Sequence, residues 1–96
     1  MPAYIVVNAR VTDPDLLARY GKAARPTLAN HDCTPLIATN DAETIEGEPA
    51  GSRVVVLQFP SREAALAWYN SDEYQAVIGM RHDSTEGFTV IVDGLG

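Results

Sequence analysis

Residues 53–59, Arg-Val-Val-Val-Leu-Gln-Phe, place apolar side chains on both faces of one extended segment. Successive side chains on a strand point to opposite faces, so an unbroken apolar run needs cover on both sides. A chain of 96 residues has room for one domain and one layer of helices. The second face must then meet water or another chain. Gly47, Pro49, Gly51 and Ser52 precede the run and Pro60-Ser61 follows it. These turn residues mark it as a central strand, Arg53 to Phe59.

The rest of the chain supplies the neighbours of that strand. Ala3 to Val11 alternates, with Ile5, Val7, Ala9 and Val11 on one face and Tyr4, Val6, Asn8 and Arg10 on the other, which predicts a strand. Thr12-Asp13-Pro14 opens a helix, with proline at the first helical position, where its missing N–H costs nothing. Leu16, Leu17, Tyr20, Ala24 and Leu28 form its apolar stripe from Asp15 to about Asn30, and Pro26 is expected to kink it or end its regular part near Ala24. Leu36 to Thr39 predicts a short strand, placed at a sheet edge by Pro35. Asp41 to Glu48 is polar except for Ala42 and Ile45 and is expected to form a ragged strand or hairpin arm.

Ser61 caps a second helix through about Tyr69, with Ala64, Ala65 and Trp68 as its buried stripe. Asn70 is expected to cap a further helical stretch, with Glu73 as its capping-box partner, running to about Arg81 and burying Tyr74, Val77 and Ile78. A loop through Asp83-Ser84 then leads to a last strand from Gly87 to Val92.

The order is strand-helix-strand twice over. Residues 1–96 therefore predict a single α+β domain, a ferredoxin-like βαββαβ sandwich with an antiparallel sheet and its helices on one face. Tyr4, Val6, Val54, Val56 and Ile91 are read as an apolar patch on the other face. Pairing two sheets face to face would bury it, so a homodimer is expected, with higher assembly open.

Composition narrows the partners. Seven Lys and Arg against thirteen Asp and Glu give a net charge of −6. That leaves no basic surplus for a phosphate backbone, so no nucleic-acid partner is expected. Cys33, the single cysteine, cannot form an internal disulfide. Met1-Pro2-Ala3-Tyr4 lacks the basic and apolar stretches of a signal peptide, and no apolar run is long enough for a membrane span. The expectation is a small acidic cytoplasmic protein with no membrane partner. The glycines are scattered and form no phosphate-cradling loop. The histidines and the cysteine show no tight metal-ligand spacing. No cofactor and no metal are expected.

Val54 to Gln75 contains Phe-Pro at the strand end, then Ser-Arg-Glu-Ala-Ala, then Trp-Tyr-Asn-Ser-Asp-Glu-Tyr. This text resembles the DUF1330 family, proteins of unknown function in the dimeric α/β-barrel superfamily. Ala3-Tyr4-Ile5-Val6, Val11-Thr12-Asp13-Pro14 and Glu46-Gly47 extend the resemblance over nearly the whole chain, and Phe59 to Gln75 is its most specific part. It implies a ferredoxin-like subunit in a dimer whose sheets enclose a barrel, and it implies no reaction. The heme-degrading members of that superfamily carry an Asn on the first strand and a Trp-x-Asn-Ser on the second helix, matched here by Asn8 and Trp68 to Ser71. They also place a histidine ten residues after the Trp, where this chain has Ile78. His82, one turn further on, would be displaced by roughly 5–6 Å along the axis, so heme degradation ranks low.

The candidate site residues follow from face and type. Asn8, Arg10 and Gln58 fall on the strand face opposite the helices and are candidate ligand-binding groups, with pairing across a dimer as the plainer alternative. Tyr20 is a candidate gate to a cavity between helix and sheet, and Trp68 a candidate ligand-binding or core ring. Glu46 and His82 are the candidate catalytic bases. For Glu46, a salt bridge to Arg53 or Arg81 is the simpler role. His31-Asp32 and His82-Asp83 each offer a base beside a carboxylate, though adjacent loop residues rarely align. Cys33 near His31 has the composition of a thiolate–imidazole pair, with an idle thiol as the simpler reading. The functional expectation is a homodimer that binds a small organic ligand in a barrel or sheet–helix cavity, with cofactor-independent proton transfer or oxygenation as its enzymatic form. The alternative is a non-catalytic dimeric structural or stress-associated binding module.

Overall fold

The alternation of residues 3–11 becomes the central ladder of the sheet. In the computed structural model, which describes residues 1–95, Ala3–Val11 (β1) pairs antiparallel with Arg53–Phe59 (β3) on one side and Thr85–Asp93 (β4) on the other. Thr34–Thr39 (β2) adds antiparallel to β3, giving the order β2-β3-β1-β4. The helices Pro14–Leu28 (α1), Arg62–Tyr69 (α2), Asp72–Gln75 (α3) and Ile78–Ser84 (α4) complete a ferredoxin-like α+β fold.

The helix caps are local and chemical. Asp13 accepts a hydrogen bond from the Leu16 amide ahead of Pro14, and Ser61 accepts one from the Ala64 amide. Ala65, Trp68, Tyr74 and Ile78 from the later helices and Ala24 from α1 join Ile5, Val7, Ala9 and Phe59 in one buried cluster. All helices therefore share one face of the sheet. The core is aromatic at its centre: Trp68 lies 5.7 Å from Phe59 and 4.0 Å from Tyr74 between ring centroids.

The register decides which side chains face away. Tyr4 pairs with Gln58 and Val92, Val6 with Val56 and Val90, and Asn8 with Val54 and Phe88. Ile37 lies beside Val56. These residues form the open face. Ile37, Phe88, Val90 and Val92 are 43–54% exposed on it. Ile91 pairs with the buried Ile5 and packs on the core, so it belongs to the helix face and not to the open patch. The run Val90-Ile91-Val92 is apolar at both parities, and only pairing with β1 separates the faces.

The elements depart from the sequence expectation at several points: β2 and β4 each begin two residues earlier, and the stretch expected to run to Arg81 is broken into α3 and α4. α1 continues through Pro26 to Leu28. Thr27 is buried there, its hydroxyl donating to the Ala24 carbonyl and accepting from Trp68 Nε1, so tertiary packing outweighs one lost backbone bond. Residues 41–48 form no strand. Ala42 donates to the Ser52 carbonyl, and Gly47, at φ 82°, turns the polar loop back without an apolar face to bury. Ser71, not Asn70, caps α3 by accepting from the Tyr74 amide, and Glu73 is paired elsewhere. Finally, α4 runs into β4 with no loop at Asp83-Ser84. The fully buried Ser84 there accepts at its carbonyl from the Thr12 and Asp13 amides, which ties the end of α4 to the end of β1.

Candidate functional site

α1 packs on α3 and α4 more closely than on the strands beneath it. This leaves a cavity of about 230 Å³ between α1 and the sheet. Its apolar wall is made by Leu17, Ala24 and Leu28 above and by Ile5, Val55 and Leu57 below. β2 is exposed along most of its length, and its Pro35 and Ala38 form the outer rim. The void explains why Val55 and Leu57 are only half-buried on an interior strand.

Polar groups converge at one end. Tyr20 from α1 and Tyr74 from α3 meet hydroxyl to hydroxyl at 2.7 Å. Arg53 from β3 and Arg81 from α4 line the same cavity. Arg53 donates to the Asn40 side chain at 2.8 Å, and Arg81 donates to the Thr89 hydroxyl at 2.7 Å. Burial raises the pKa of Tyr20, opposed by its bond to Tyr74 and by the two positive arginines. Burial and the neighbouring Tyr20 raise that of Tyr74 further. The pair is therefore a neutral phenol–phenol contact at neutral pH. Burial lowers the pKa of Arg53, partly offset by Tyr20.

The candidate residues separate by place. Tyr20 and Trp68 line the cavity, Trp68 as a buried core ring whose Nε1 donates to Thr27 Oγ1 at 2.9 Å. Gln58 is half-buried on the open face, beside Tyr4 and Thr34. Arg10 is exposed on that face and pairs with Glu86 across the β1–β4 ladder. Asn8 also faces away from the helices, but its side chain is spent on the chain entering β3: Nδ2 donates to the Gly51 and Arg53 carbonyls, and Oδ1 accepts from the Ala50 amide. Gly51 is needed at that clamp, because a Cβ there would collide with the Ala9 backbone. Asn8→Ala is expected to cost about 2–4 kcal/mol in urea unfolding, from three hydrogen bonds at roughly 0.5–1.5 kcal/mol each.

Glu46 is exposed on the 40–52 loop, outside the cavity, and bridges neither Arg53 nor Arg81. His82 is exposed on α4, 3.4 Å from an Arg81 guanidinium nitrogen. His31 pairs with Glu73 at 2.8 Å, so its carboxylate partner is neither Asp32 nor Cys33's neighbourhood but the first turn of α3. Among the described residues, no group of three His, Cys, Asp or Glu side chains could hold a metal ion. No helix among them is long and apolar enough to cross a membrane.

Cys33 is half-buried against the core, and burial pushes its thiol up to about 11. A pKa raised in the folded state means that the fold holds the proton more tightly than the unfolded chain. The associated stability is complete below the ordinary thiol value and is lost as pH rises toward 11. Tyr20 and Tyr74 act in the same direction. Urea-measured stability is expected to fall above about pH 9, and the fall to be shallower in Cys33→Val. A stability that stays flat from pH 8 to 11 would contradict this.

Sequence reasoning missed Arg53 and Arg81 as cavity residues. The signal was present. Arg53 has the same strand parity as Val55 and Leu57, and Arg81 extends the Tyr74, Ile78 stripe by one helical step.

Residues 2–95 match the family model described as a domain of unknown function, DUF1330. Solved structures of similar fold include a protein of unknown function from Rhodopseudomonas palustris, with a TM-score of 0.77 and 16% identity over 99% of this chain and 83% of that one. SnoaB, a cofactor-independent oxygenase from Streptomyces nogalater, has a TM-score of 0.69 and 9% identity over 99% of this chain and 94% of its own. Rv0793 from Mycobacterium tuberculosis has a TM-score of 0.62 and 17% identity, with both chains fully covered. At these identities the likeness is one of fold. No match was found among the curated proteins.

Proposed function

The chain belongs to the DUF1330 family, and we propose that it binds a small organic molecule in the cavity beneath α1, as a homodimer closed through the open sheet face. The carrying observation is the cavity itself: about 230 Å³ of space with apolar walls and a few polar groups gathered at one end. That combination is the usual form of a small-molecule site. An apolar cavity of about 150 Å³ already holds a benzene ring, so the volume suits one ring with a short substituent. Tyr20 orients the ligand and Trp68 forms its floor. Asn8 and Arg10 serve the scaffold, and Gln58 contributes to the dimer. An enzymatic form, proton transfer or oxygenation without a cofactor, draws support from the fold shared with SnoaB. Glu46 and His82 would take part only if the ligand reached beyond the cavity mouth.

Native mass spectrometry of the protein as purified, set beside its denatured mass, tests the reading. The expected result is a dimer that carries a reproducible extra mass and loses it in Val55→Phe, which fills the cavity. A protein that carries no extra mass and takes up neither toluene nor indole would overturn the site.

A further inference from the structure

We infer that the cavity is built for an organic anion, a monocarboxylate on an apolar body of about one ring, held by Arg53 and Arg81. The inference rests on the cavity-binding reading and adds the chemistry of the ligand. Among the described residues the ion pairs are Arg10–Glu86, His31–Glu73 and Arg62–Asp93. None of the three arginines that line the cavity, Arg25, Arg53 and Arg81, has a carboxylate partner. No Asp or Glu lines the cavity, although acids outnumber bases thirteen to seven in the chain. A positive pocket in a protein of net charge −6 is thus a local arrangement and not a consequence of overall charge.

The donors of Arg81 are left incomplete in a way that points at a ligand. One terminal nitrogen donates to Thr89, and the other lies 3.4 Å from His82 Nε2. The third nitrogen, Nε, is buried and has no partner, the sole such side-chain atom among the described residues. A buried N–H without an acceptor costs free energy, and native proteins rarely leave one. Arg53 uses one terminal nitrogen on Asn40, which leaves other donors free on the same cavity wall. A carboxylate is the matching acceptor, because its two oxygens fit the guanidinium fork. The walls beyond the arginines are apolar and reward a hydrocarbon body, whereas a phosphate dianion would bring more charge to desolvate and no such body.

The test is calorimetric titration of the wild-type protein with 3-phenylpropionate and with 3-phenylpropionamide, a neutral molecule of the same shape. The carboxylate is expected to bind at least tenfold more tightly. Arg81→Met should reduce that preference several-fold, weakening the acid more than the amide, and Arg81→Lys should restore part of it. Circular dichroism checks that each variant is folded, and the wild-type comparison stands without them. Equal binding of acid and amide would overturn the anion while leaving the cavity reading intact. Failure of both to bind would overturn both readings. An acid preference that survives in Arg53→Met/Arg81→Met would place the anion elsewhere and overturn the assignment.

Discussion

Trp68→Ala is expected to lower the unfolding free energy by about 3–5 kcal/mol, the usual cost of deleting a large buried aromatic ring. Trp68 is 3% exposed and lies between Phe59 and Tyr74 at centroid distances of 5.7 and 4.0 Å. Its removal opens a void beside the cavity, where the walls are already poorly supported and cannot collapse without moving α1. It also strips Thr27 of the N–H that its hydroxyl accepts. A small domain is stable by only about 5–15 kcal/mol, so the variant should be largely unfolded at modest urea. Trp68→Phe separates the two causes. It keeps a ring in place and loses the hydrogen bond, so about 1–2 kcal/mol is expected. Far-UV circular dichroism follows both variants, since the tryptophan signal is gone. A cost under 1 kcal/mol for Trp68→Ala would mean that the ring is a lid of the site and not part of the core.

Trp68 also shows how far the sequence could be read. Its place on a buried helical stripe is visible from Ala64 and Ala65, and its caps and neighbours are local. The four strands, the two long helices and the sheet faces of Asn8, Arg10 and Gln58 were legible for the same reason: period and capping chemistry act over a few residues. The hydrogen bonds of Asn8 were not legible, because they depend on where the 50–53 segment returns beside β1, more than forty residues later. The face of Ile91 depends on register with β1. The cavity arises from how α1 stands on α3 and α4, a tertiary spacing with no local signature. Arg53 and Arg81 stood on inward-facing positions all along, but a charged residue there reads as a solvated end until a void is known to lie in front of it.

Val56→Asp is expected to convert the proposed homodimer into a monomer. Val56 sits at the middle of the open face, between Val6 on β1 and Ile37 on β2, with Val90 beyond Val6. In a twofold dimer the same patch contributes from both subunits, so each substitution acts twice. A carboxylate buried without a partner costs about 3 kcal/mol or more, and two such groups weaken association by roughly four orders of magnitude. Size-exclusion chromatography with light scattering should show half the wild-type mass at micromolar concentration. Ala67→Asp, on the exposed outer side of α2, should leave the mass unchanged. The cavity lies on the other side of the sheet, so a folded Val56→Asp monomer should still take up the ligand, more weakly by the stability lost with the dimer. A wild-type protein that is monomeric at these concentrations would remove the partner. It would then leave Phe88, Val90, Val92 and Ile37 as a contiguous apolar surface in water, and a small acidic domain gains nothing from exposing such a patch.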